Sequence, residues 1–128
     1  MSDTRDPDMR QLMEAAEPDF TVVMSCVFGV NEHVTRTYIR LLDQPGSTVE
    51  ELADALDRDR SNVNRALTTL LDLGLATRER RLLDSGGYVY QYKAVPLPEA
   101  KEMLKEGLDA WAEQVHGVIE EFEEERGG

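Results

Sequence analysis

Ser61, Asn62, Arg65, Thr68 and Thr69 share one stripe if residues 60–73 are helical. Four of them are short and hydrogen-bonding, and the arginine bonds bidentately. That is the set of side chains able to reach base edges in the major groove of DNA. A merely solvated helix would favour Glu and Lys at these positions, since both are better helix formers than Ser or Thr. The opposite stripe is apolar: Val63, Ala66, Leu67, Leu70 and Leu73 recur at helical spacing, so that face is buried. Catalytic chemistry has no comparable signature. The sequence holds no Gly-rich phosphate loop, nucleophile elbow or HExxH pattern, and in so acidic a chain a carboxylate pair is expected by chance. No catalytic residue is assigned and an enzyme is not expected.

A reading helix needs a partner to hold it. Residues 50–56 supply Leu52, Ala53 and Leu56 to the same core, opened by a capping box of Thr48 and Glu51. Asp59 caps the second helix with Arg60 at its first position, and Gly74 closes it. Two helices of this size around a short polar turn make a helix-turn-helix. Residues 75–83 and 88–95 then read as two strands around Asp84, Ser85, Gly86 and Gly87, a hairpin in the position of a wing. Alternation puts Tyr88, Tyr90 and Tyr92 on one face and Val89, Gln91 and Lys93 on the other. The tyrosines read as sheet packing rather than base stacking, which needs exposed rings. Arg78, Arg80 and Arg81 beside the Gly-rich turn read as phosphate contacts.

The flanks serve this unit. Residues 1–8 form a polar lead-in, and 9–16 have room for one or two helical turns before Pro18. FTVVMSCVF, residues 20–28, is an apolar run that fits a strand or a buried helix, with Gly29 ending it. Cys26 within it is expected to be buried and inert. Asn31 caps a helix through residue 42, with Val34, Tyr38, Ile39, Leu41 and Leu42 as its apolar side. After Pro96 and Pro98 comes a long helix in which Leu104, Leu108, Trp111, Val115, Val118 and Phe122 repeat at spacings of 4 and 3. That heptad seam is expected to pair with a second copy. The chain thus divides into a lead-in (1–19), a DNA-binding unit (20–97) and a dimerisation helix (98–126).

The formal charge is −12, which normally argues against nucleic acid. Its distribution argues otherwise. Residues 58–81 hold six arginines and three acids, a net +3, which leaves −15 for the rest. A surface rich in Asp and Glu, with lysine only at 93, 101 and 105, suits a salt-laden cytoplasm. There, repulsion is screened within about 3 Å at 1 M salt. A halophilic source is therefore expected. One cysteine excludes a disulfide framework, and His33 and His116 have no partners at ligand spacing, so no metal is expected. With neither a signal peptide nor an apolar run of 18 residues, the expected location is cytoplasmic.

Three blocks in order, VFGVNEHVTRTYIRLL, ELADALDRDRSNVNRALTTLLDLGL and GGYVYQYKAVPLPEAKEML, resemble archaeal winged-helix regulators of the TrmB-like group. The resemblance implies a second helix in the major groove and a wing on the backbone. It places Arg60, Ser61, Asn62, Asn64 and Arg65 on DNA from the helix, and Arg80, Arg81, Ser85, Gly86 and Gly87 from the wing. Thr48 and Thr68 complete the candidate set. Longer members carry a C-terminal sugar-binding domain, whereas this chain stops after one helix, in which respect it is similar to PadR-like regulators. Control by a bound sugar is therefore not expected. The fold class is mainly α with a small β-hairpin wing: a winged helix-turn-helix with a long C-terminal dimerisation helix. The expected activity is sequence-specific binding of double-stranded DNA by a homodimeric transcription regulator, with no cofactor and no membrane partner. The operator, the regulated genes and any small-molecule effector are not legible. The alternative is a winged-helix interaction adaptor that does not read DNA directly.

Overall fold

The computed structural model describes residues 19–127, and side-chain surroundings through residue 122; the helical turns expected at 9–16 lie outside the described residues. Phe20–Phe28, the run that fits strand or helix equally, is helix α1. Its caps decide the matter. The Asp19 carboxylate accepts from the Val22 amide at 2.9 Å, and Gly29, at φ 70°, closes the far end. Helical spacing turns Met24 fully inward and packs Phe20, Val23 and Val27 beside it. The same spacing turns Cys26 outward. The thiol is exposed, contrary to the buried position expected from its apolar neighbours.

Helix α2, Glu32–Asp43, starts where Asn31 Oδ1 accepts from the Val34 amide. It carries Tyr38 at the centre of the core, with its hydroxyl donating to the Val95 carbonyl at 2.8 Å. Ile39, expected inside, is exposed. Helix α3, Val49–Leu56, has both arms of the Thr48–Glu51 capping box. It ends on Asp57 at φ 56°, a left-handed position that Asp tolerates better than most residues. Only Asp57, Arg58 and Asp59 separate it from α4, Arg60–Leu73, which Asp59 caps through the Asn62 amide at 2.8 Å.

Strands β1, Ala76–Leu82, and β2, Tyr88–Ala94, pair antiparallel from Ala76↔Ala94 to Leu82↔Tyr88. A third contact ties them to the helices: the Tyr92 amide donates to Ser47 and the Gly46 amide to Tyr92, so the turn before α3 joins the sheet. Leu52, Val63, Leu67, Leu70, Leu75 and Tyr92 close one core around Tyr38. Burying such side chains contributes about 1.5–3 kcal/mol each for the larger ones.

Helix α5, Leu97–Gly127, leaves this core along α1. The close approach occurs at Gly107, where an added Cβ would lie 2.5 Å from Val27 Cγ1. Leu104 is buried in the chain's own core, so it is not part of an exposed seam. Beyond α1 the stripe emerges: Leu108, Trp111, Val118 and Phe122 are exposed, at 48–64 % of their surface, and Val115 is half-buried between them.

Candidate nucleic-acid interface

Helix α4 has the two-faced character that its sequence demands. Val63, Ala66, Leu67 and Leu70 are buried, whereas Ser61, Asn64, Arg65 and Thr68 are exposed on the opposite side. Asn62 is half-buried and heavily engaged. Its amide goes to Asp59, its carbonyl accepts from His33 Nε2 at 3.3 Å, and its Oδ1 accepts from Arg65 Nη2 at 2.6 Å. Thr69 is also half-buried, with its hydroxyl donating to the Arg65 carbonyl at 3.1 Å. Thr69 therefore belongs to the helix's internal bonding rather than to its exposed face.

His33 was not singled out by the sequence for this neighbourhood, since nothing local signals a contact across 29 residues. Burial pushes its imidazole below the ordinary value of 6.5; the Asn62 carbonyl opposes this, while Arg58 and Arg36 add to it and Asp59 opposes it. A neutral ring thus braces the first turn of α4 from α2.

Beside α4 the chain forms a groove of about 390 Å³, with Thr48, Glu50, Arg60, Asn64 and Tyr90 among its walls. Thr48 sits at its edge with its hydroxyl committed to the capping box. Arg60 is paired with Glu50 at 3.5 Å, both well exposed. Such a pair is worth about 0–1 kcal/mol, so an incoming phosphate can displace it.

The wing separates residues that the sequence groups together. Register places Arg78 opposite Tyr92 and Arg80 opposite Tyr90, so both arginines share the tyrosine face. Arg78 lies 4.1 Å over the Tyr90 ring and Arg80 lies 4.9 Å over Tyr88. Tyr92 is core, but Tyr90 and Tyr88 are supports over whose rings the two guanidinium groups rest. Arg81 faces the other way, opposite Val89. Parity along the strand was the available signal. Ser85 and Gly86 are exposed at the tip, where Gly86 takes φ 95°.

Among the described residues no cluster of three or more His, Cys, Asp or Glu is arranged to hold a metal ion, and no helix is long and apolar enough to cross a membrane.

A helix-turn-helix carrying a hairpin wing, with a polar arginine-bearing face on its second helix, defines the winged-helix class of DNA-binding transcription regulators. Within that class the chain belongs to the TrmB family, described as sugar-specific transcriptional regulators, whose pattern matches residues 24–98. An uncharacterized protein of Methanocaldococcus jannaschii is 34% identical over 104 residues, covering 81% of this chain and 79% of the relative. A second from the same organism is 36% identical over 109 residues, covering 84% and 90%. Among solved structures, a possible transcriptional regulator from Methanosarcina mazei superposes with a TM-score of 0.71 at 24% identity, over 79% of this chain and 86% of that one. A mutant of Staphylococcus aureus MepR, bound to an oligodeoxyribonucleotide, has a TM-score of 0.55 at 14% identity, over 87% and 78%. These structures share the fold. A family of transcription regulators is not one of enzymes.

Proposed function

We propose that this chain reads double-stranded DNA as a homodimer, with α4 in the major groove and the wing along the backbone. The observation that carries the reading is the division of α4: its apolar stripe is sealed in the core while Ser61, Asn64, Arg65 and Thr68 are left exposed. A helix in that position has its hydrogen-bonding set aimed outward and beside a basic wing. Arg80 and Arg81, one on each face of the hairpin, embrace the backbone, and Ser85 and Gly86 form the tip.

Pairing is supported by α5. Leu108, Trp111, Val115 and Val118 line up over two heptads, whereas Glu99, Glu106, Glu113 and Glu120 recur every seven residues on the far side. Charges so placed face solvent when two such helices meet. The acidic body suits a salt-rich cytoplasm, where the usual gain from counterion release shrinks.

Selection from a random duplex pool tests the proposal. The expected result is a palindromic sequence whose half-sites are spaced by a helical turn or a multiple of it. Failure to enrich any sequence, from low salt through several molar potassium chloride, would favour the interaction adaptor.

A further inference from the structure

We infer that Asn62 is a positioning residue for Arg65, and that together the two read a guanine. The inference rests on the DNA-reading proposal and deepens it. Asn62 and Arg65 are three residues apart on α4, so their side chains lie on neighbouring turns of one face. Arg65 Nη2 donates to Asn62 Oδ1 at 2.6 Å.

The bond changes what each residue offers. An asparagine reads adenine with both ends of its amide, accepting from N6 and donating to N7. With one lone pair of Oδ1 given to Arg65, the Asn62 amide is turned first to the guanidinium, and its acceptor end is no longer free to align on a base by itself. Arg65 loses little. Nη2 carries two N–H groups, so one given to Asn62 leaves the other, together with those of Nη1, to form a fork. The face that Arg65 keeps free is donor-only. Its complement in the major groove is guanine, whose O6 and N7 are both acceptors.

The backbone that carries the acceptor is held on both sides. The backbone N–H of Asn62 donates to Asp59 Oδ1 at 2.8 Å and its backbone carbonyl accepts from His33 Nε2 at 3.3 Å, so the main chain from which the side chain springs is braced from the cap and from α2. Thr69 donates to the Arg65 carbonyl at 3.1 Å. A guanidinium held before DNA arrives loses less rotamer freedom on binding, which is how Asn62 contributes to recognition without touching a base.

Duplex selection followed by titration of single-base variants tests this in the full chain. The wild type is expected to select a guanine that Arg65→Ala no longer selects, with the preference over adenine falling from roughly 10- to 100-fold toward none. Asn62→Ala is expected to weaken preference at that same base pair, and to add nothing in the Arg65→Ala background. Asn62→Asp keeps an acceptor for Arg65 and is expected to keep the guanine preference. Thermal melting shows that each variant is folded. If Asn62→Ala alters a different base pair from Arg65→Ala, Asn62 is an independent reader and the inference is overturned while DNA reading stands. If Arg65→Ala leaves every preference intact, the inference is overturned as well. A wild type that enriches no sequence defeats this inference and the proposed function together.

Discussion

Three ionisable residues at the candidate interface have effects of different kinds. Glu50 puts a carboxylate where phosphates are expected, and its partner Arg60 spends part of its charge on it. Glu50→Gln should therefore tighten binding to specific and random duplexes alike, by a few-fold, because an exposed pair is worth about 0–1 kcal/mol. Fluorescence anisotropy on both duplexes checks this, and a gain confined to one sequence would give Glu50 a reading role instead. Arg81 is exposed and lacks the aromatic support of its neighbours Arg78 and Arg80. Arg81→Ala should weaken all sequences equally and lower the salt slope by about 1, as loss of one phosphate contact does. An altered consensus in that variant would contradict the assignment. His33 acts through protonation. Burial holds its folded value below 6.5, so the folded chain takes up that proton less readily than the unfolded one. Its contribution is complete above 6.5 and is lost as pH falls below it. His33→Gln keeps an N–H for the Asn62 carbonyl but does not titrate. The melting-temperature gap between wild type and variant should accordingly shift against the wild type between pH 7.5 and 5.5, and a gap independent of pH would exclude the role.

At the scale of elements, legibility followed how local the determining chemistry is. Asn31, the Thr48–Glu51 box, Asp59 and Gly74 cap the elements they were expected to cap, because a cap is settled within four residues. The stripe of α4 was legible for the same reason. Residues 20–28 were not, since a short, mostly apolar run suits either element, and the capping bond of Asp19 was what settled them. The Ser47–Tyr92 bridge and the His33 contact are non-local and left no mark in the sequence. Periodicity revealed the stripe of α5 but not that its accessible part starts only after Leu104, which lies in the chain's own core, and Gly107, on which α1 closes. That contact makes a prediction of sign. In an open helix Gly→Ala gains about 1 kcal/mol in propensity. At Gly107 the new methyl meets Val27, which is stiff at χ1, and overpacking of this kind costs about 1–3 kcal/mol. Gly107→Ala should therefore lower the melting temperature. With Val27→Ala the obstacle is gone, and the same substitution should raise it. Stabilisation in the wild-type background would show that the two helices part without cost.

The whole molecule joins a winged-helix unit with a net positive segment to an acidic helix whose exposed apolar stripe begins where its own core ends. Leu108, Trp111 and Val118 would each lose water contact if a second α5 lay along them, at about 25 cal/mol for every Å² of apolar surface covered. Such pairing would also make a small face an effective one. On the proposed reading each α4 would span one half-site, and linking two would convert the second contact into an intramolecular step, multiplying affinity by about 10²–10⁴ without new contacts. Val118 is the position that separates these effects, since at 64 % exposure it has little to do with the fold of its own chain. Val118→Glu should leave the melting profile of the reading unit intact while sedimentation reports a monomer. Affinity for the full palindrome should fall by roughly 100-fold or more, and affinity for a single half-site should be unchanged. A variant that stays dimeric would move the interface elsewhere. One that loses half-site binding equally would mean that α5 supports the reading helix directly rather than through its partner.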